Sequence, residues 1–163
     1  MELKRKFNIR KFLIISYSLF GMLYVVLGLQ PADAAEYSID ATLEIPAIGL
    51  ATDVVSIELG ANGLDTPELV AGSYSRAENK TLLIGHSTTV FQDLPGVVVG
   101  DQIYYDGGEF RVDKIEYLAK DAVNMARALA KSKENTLVLM TCAGELYDNG
   151  DASERLIITA SAV

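Results

Sequence analysis

Beyond residue 37 the apolar residues of this chain come only a few at a time, rich in Val, Ile and Leu and punctuated by Gly, Pro, Asn and Asp. Such spacing leaves little room for long amphipathic helices and favours short strands closed by tight turns. Strands are expected at 41–45, 54–59, 81–84, 102–105, 109–118, 136–141 and 156–160, with Asp106-Gly107-Gly108 as a hairpin signal between two of them. Short strands sharing one core predict an all-β fold, a closed or nearly closed barrel of about seven or eight strands. Helix is the minority. Asp121–Lys131 carries apolar residues at helical spacing behind a capping Asp121, and Glu68–Ser75 is expected to form a turn or two.

The N-terminal part follows a different pattern. Residues 12–29 are uncharged and, as a helix, span about 27 Å, close to the hydrocarbon thickness of a bilayer. Lys4, Arg5, Lys6, Arg10 and Lys11 precede them, which favours a cytoplasmic N-terminus and an external domain. A transmembrane signal anchor is therefore expected. A cleaved secretory peptide is the alternative, since Ala32-Asp33-Ala34 has the small-x-small spacing of a cleavage site. The expected organisation is a cytoplasmic basic segment at 1–11, a membrane helix at 12–29, a linker at 30–37 and one domain at 38–163.

Charge divides at the same boundary. Residues 1–29 hold five basic side chains and one acidic, so residues 30–163 hold nine basic and 21 acidic, a net charge of −12. A surface of that sign repels a phosphate backbone, and no basic stripe interleaved with aromatics is present, which argues against nucleic-acid binding.

Two residue types occur once each. A single Cys in an exported chain has no internal disulfide partner, so Cys142 is a free thiol. It follows the apolar run Leu137–Met140 and Thr141, and precedes Ala143-Gly144. The single His, His86, follows Leu82-Leu83-Ile84 and Gly85 and precedes Ser87-Thr88-Thr89. Each is a reactive group placed after an apolar strand and before a small polar loop. If both strand ends share one barrel rim, they form a Cys–His pair in which the imidazole activates the thiol and protonates a leaving amine. The plainer readings are a small buried hydrophobe for Cys142 and a surface or satisfied core residue for His86. Attack on a carbonyl also needs a donor for the developing oxyanion. Arg155, which opens the run Leu156–Ala160, is the candidate; the alternative is a surface Arg paired with Glu145, Asp148, Asp151 or Glu154.

At these residues the chain resembles the sortases of Gram-positive-type cell envelopes, over essentially all of residues 43–160. Ile45-Pro46-Ala47-Ile48-Gly49 looks like the family's opening strand and Leu83-Ile84-Gly85-His86-Ser87 like its histidine segment. Phe91 with Leu94, and Val99-Gly100-Asp101-Gln102-Ile103, resemble the segment that follows. Leu139-Met140-Thr141-Cys142 matches the nucleophile strand, with Val138 where the family usually has Thr, and Arg155–Ala160 matches the arginine strand. Asn62-Gly63-Leu64-Asp65-Thr66-Pro67 looks more like the smaller class D, E or F enzymes.

The resemblance implies a cysteine transpeptidase with Cys142 as nucleophile, His86 as general acid and base, and Arg155 on the substrate carbonyl or oxyanion. Thr141 and Ser87, beside the first two, become candidate substrate contacts. The implied partners are proteins with an LPXTG-like sorting signal and an amine of a peptidoglycan precursor or a pilin lysine. No cofactor and no required metal are expected, since no spaced Asp-x-Asp-x-Asn-Gly calcium loop is present and Asp148-Asn149-Gly150-Asp151 reads as a turn. Activity limited by protonation should give a bell-shaped pH profile. A cysteine hydrolase with the same three residues, or a noncatalytic anchored β-domain with Cys142 buried, are the other readings.

Overall fold

A computed structural model describes residues 38–60, 63–148 and 151–163. The expected basic segment, membrane helix and linker lie outside the described residues, and no helix among the described residues is long and apolar enough to cross a membrane.

Ten strands form. They are β1 Ala41–Ile45, β2 Leu50–Ser56, β3 Leu59–Gly60, β4 Gly63–Leu64, β5 Ala71–Ala77, β6 Lys80–Ile84, β7 Gln102–Tyr105, β8 Gly108–Ala119, β9 Thr136–Leu146 and β10 Ala152–Ala162. Eight of them close a barrel in the order β1-β2-β5-β6-β9-β10-β8-β7, with β7 pairing back onto β1. Pairs β2/β5 and β6/β9 are parallel and the rest of the barrel is antiparallel. The hairpin β3–β4 stands apart as a two-stranded sheet. The all-β barrel expected from the punctuated apolar runs is thus present.

The hairpin signal between β7 and β8 folds as its chemistry requires. Tyr105 pairs with Gly108, leaving Asp106 and Gly107 as a two-residue loop, both with positive φ (48° and 73°). That is the backbone of a type I′ turn, whose twist matches its strands and which Asp-Gly tolerates.

Several boundaries differ from expectation. Strand β5 lies where a turn or two of helix was expected from Glu68 to Ser75. Its sequence, Ala-Gly-Ser-Tyr-Ser-Arg-Ala, is low in β-branched residues, and pairing to β2 and β6 overrides its weak intrinsic preference. The segment 121–131 shrinks to a 3-10 turn at Lys120–Ala122 and one short helix, α1, Met125–Ala128. Its cap is Asn124, whose side chain accepts the Arg127 N–H at 3.0 Å, rather than Asp121. Strands β9 and β10 extend well beyond 136–141 and 156–160, through the polar residues of their connecting loop.

Alternation along the strands sorts side chains into two clusters. Leu83, Leu137, Leu139, Leu156 and Ile158 belong to the barrel interior with Leu43, Ile45 and Ile103. Their neighbours Leu82, Ile84, Val138 and Ile157 join Val55 and Ile57 in a second cluster on the outer face. Leu64 of β4, Met125 of α1 and Leu129 pack against that outer cluster. Strands β6, β9 and β10 are therefore apolar on both faces, which is why they read as continuous runs rather than alternating ones.

Candidate active site

The outer face carries the three candidate groups. Cys142 continues the outward series Val138, Met140, Cys142 of β9. Arg155, two residues before the outward Ile157, is the direct cross-strand partner of Cys142. Directly opposed residues of an antiparallel pair have Cβ atoms about 4.5–5.5 Å apart. On the other flank Ile84 pairs in parallel with Met140, and the Gly85 N–H donates to the Met140 carbonyl at 3.4 Å. The ladder ends there; His86 follows two residues after Ile84, past the end of β6, and faces the same groove as Cys142.

All three line one groove of about 530 Å³, with Ile84 and Met140 in its floor and Leu64, Met125 and Leu129 along its walls. The expectation of a barrel rim is corrected. His86 does follow the end of β6, but Cys142 is the seventh residue of an 11-residue strand and Arg155 lies within β10, so the site lies on the barrel's outer face beside β3–β4 and α1. The thiol is partly exposed, so the reading of Cys142 as a buried hydrophobe does not hold.

Local hydrogen bonds hold the histidine segment. Thr141 is 3% exposed, and its hydroxyl donates to the Gly85 carbonyl at 2.7 Å, tying β9 to the residue before His86. Thr141, expected as a substrate contact, does border the groove, but its hydroxyl is committed to the Gly85 carbonyl and positions the histidine segment. Ser87 is half-buried in the turn after His86 and does not line the groove. The His86 carbonyl accepts the N–H groups of Thr89 and Phe91 at 3.3 and 3.0 Å. The ring Nε2 lies 3.2 Å from the Thr66 carbonyl. A carbonyl only accepts, so Nε2 carries the proton in this contact and Nδ1 is left for proton exchange.

Gly85 permits this turn by having no side chain. A Cβ there would meet Val90 Cγ1 at 2.6 Å and Phe91 Cδ2 at 2.8 Å, and Phe91 is fully buried. Gly85→Ala is expected to lower stability by about 1–3 kcal/mol through overpacking, read as a fall in the denaturant midpoint, and to displace His86.

Arg155 is paired with Asp151, one of the carboxylates expected from sequence, and it also faces the groove. It is fixed by three acceptors: Asp151 Oδ1 at 2.7 Å from Nη2, and the carbonyls of Ala152 and Glu154 at 3.1 and 2.9 Å from Nη1. Lys120 completes the cluster by pairing with the other oxygen of Asp151. Lys120, then Arg155 and the backbone N–H of Ala152, hold the Asp151 carboxyl well below the usual carboxylate range.

A folded-state value below the unfolded one means this stabilisation is complete above the unfolded carboxylate value, about 3.9. It is lost as pH falls from there through the lowered folded value. Asp151→Asn should therefore flatten the acid limb of the stability profile below about pH 4. Acid titration of both chains by circular dichroism checks this.

Among the described residues no three His, Cys, Asp or Glu side chains are grouped to hold a metal ion. An eight-stranded all-β barrel with a thiol, an imidazole and a guanidinium in one surface groove defines a class of thiol-bearing barrel proteins. The family model for the sortase domain matches residues 43–163, and the chain belongs to the sortase family.

Solved structures agree on the fold. Sortase A from Corynebacterium diphtheriae is similar with a TM-score of 0.61 at 24% identity, over 80% of this chain and 63% of that one. Sortase A from Listeria monocytogenes gives 0.60 at 16% identity, over 77% and 87%. Sortase C-1 from Actinomyces oris gives 0.59 at 20% identity, over 88% and 82%. The chain thus spans under two thirds of the length of the Corynebacterium enzyme. No curated protein matches.

Proposed function

We propose that this chain is a membrane-anchored cysteine transpeptidase that cleaves an LPXTG-like sorting signal and transfers the protein to a cell-envelope amine. The observation that supports the reading is the convergence of three groups: Arg155 directly opposite Cys142 across β9/β10, and His86 after β6 lining the same groove, which is walled by apolar side chains.

The Cys142 sulfur attacks the carbonyl carbon of the Thr–Gly bond, forming S–C while the carbonyl electrons move to oxygen. The Arg155 guanidinium, held in the groove by Asp151 and two carbonyls, offers its remaining N–H groups to that oxygen. His86 gives a proton to the departing amine as C–N breaks, which leaves a thioester on Cys142. An incoming amine, from a peptidoglycan precursor or a pilin lysine, then forms a new amide. Its proton passes to His86 and C–S breaks to return the thiolate. The apolar walls contributed by Leu64, Met125 and Leu129 limit water around the thioester and so favour the amine. Residues 12–29 would hold the chain in the membrane with its N-terminus cytoplasmic and the barrel outside.

Incubation with a panel of sorting peptides, with and without a glycine or diaminopimelate-type amine, tests the reading by mass spectrometry. Peptide cleavage with a ligated product is the expected result. Cleavage to free acid alone, whatever the amine, identifies a hydrolase instead.

A further inference from the structure

The groove is cationic within a strongly acidic domain. Residues 30–163 carry a net charge of −12, yet no carboxylate lines the groove among the described residues, whereas Arg76, His86 and Arg155 do. Two of these are accounted for: Arg155 is engaged by Asp151, and His86 by the Thr66 carbonyl. Arg76, on β5, is exposed and its guanidinium has no hydrogen-bond or ion-pair partner among the described residues. Lys131, by contrast, is paired with Glu78 on the loop just after β5.

Register places Arg76 along the groove. Tyr74 pairs with Leu82 and Ala77 with Lys80, the strand being irregular between them, so Arg76 lies near the level of Thr81. Thr81 is level with Leu137 of β9, five residues before Cys142. Five strand residues rise by roughly 17 Å. The surface between is apolar, floored by Ile84 and Met140 with Tyr74 beside them. An extended peptide advances about 3.3–3.6 Å per residue, so a chain with its reacting carbonyl at Cys142 reaches Arg76 after about five residues.

We propose that Arg76 is a specificity-determining residue that selects acidic peptide substrates. It pairs with an Asp or Glu five or six residues from the bond under attack, outside the LPXTG-like motif, while apolar peptide side chains between fill the groove. The inference rests on the transpeptidase reading for its chemistry but not for its binding.

The test uses peptides with a single Glu, or Gln as control, scanned through the two to eight positions flanking the reacting bond. The quantity read is the Glu/Gln ratio of kcat/KM within each protein, so a general loss of activity in a variant cancels. Wild type should prefer Glu at one position five or six residues away by about three- to fivefold, shrinking as salt rises. Arg76→Gln should bring the ratio to one, and Arg76→Glu should favour Lys at the same position.

The same ratio read as affinity on Cys142→Ala keeps the outcome separate from turnover. Failure of every peptide to be cleaved strikes the thioester reading, whereas the affinity ratio still decides on Arg76. A ratio of one at every position in wild type, or an unchanged ratio in Arg76→Gln, overturns the proposal.

Discussion

Cys142→Ala should abolish formation of a covalent peptide adduct and lower transpeptidation at least 10³-fold, with little change in thermal midpoint. The size of the effect follows from what is lost. No neighbouring side chain replaces the sulfur as nucleophile: Thr141 is turned inward to the Gly85 carbonyl, and Arg155 is always charged and cannot attack. The small stability change follows from the setting. Cys142 is partly exposed on the groove face, so truncation removes one sulfur from an already open site rather than leaving a sealed cavity. Intact-mass spectrometry after incubation with the sorting peptide, together with calorimetry, reads both quantities. A variant that keeps its activity would remove Cys142 from the mechanism.

His86→Ala should cost about 10²–10⁴-fold in kcat/KM, the range of a lost general acid and base. The ring is the one imidazole of the chain, and the groove holds no carboxylate among the described residues that could take over the proton. Its fixed setting makes the role specific. Nε2 is tied to the Thr66 carbonyl, and the backbone is pinned by Thr89, Phe91 and the crowded Gly85, so Nδ1 is presented in a defined place. Removal should also erase one limb of the pH–rate profile, which is expected to be bell-shaped in wild type. Exogenous imidazole should restore part of the rate, an outcome that a purely structural role for the ring would not give.

Much of this fold is legible in the residues. Short β-branched runs with Gly, Pro, Asn and Asp between them predict the barrel, and Asp106-Gly107 sets its hairpin by the positive φ it tolerates. Strand β5 is not legible, because Ala71–Ala77 has the composition of a loop and becomes a strand only when β2 and β6 offer ladders on both sides. The short α1 is the opposite case. Residues 121–131 have helical spacing, but their apolar side chains serve to cover the outer cluster, and a single turn capped by Asn124 suffices.

The site was legible in its members and not in its place. Cys142 and His86 stand out by uniqueness and Arg155 by its position at the head of an apolar run, and the structure brings all three to one groove. The groove lies on the outer face because β6, β9 and β10 are apolar on both faces, and a run such as Leu137–Met140 does not say which alternate residues face in. Thr141 stands next to the thiol in sequence and on the opposite face of the strand in space, which period two requires. Asp151 was among the four carboxylates expected for Arg155, whereas Lys120 as its second cation could be found only from the pairing of β10 with β8, which brings residues 31 apart in sequence together.

Thiol and imidazole share one surface groove, and the proposed chemistry requires them to act on each other. The rate of Cys142 alkylation by iodoacetamide, followed against pH in wild type and in His86→Ala, tests that requirement most directly. The account predicts ready labelling in both, with the wild-type profile carrying an additional titration that disappears with the ring. Identical profiles in the two proteins, or a thiol that resists labelling in the folded chain, would contradict it.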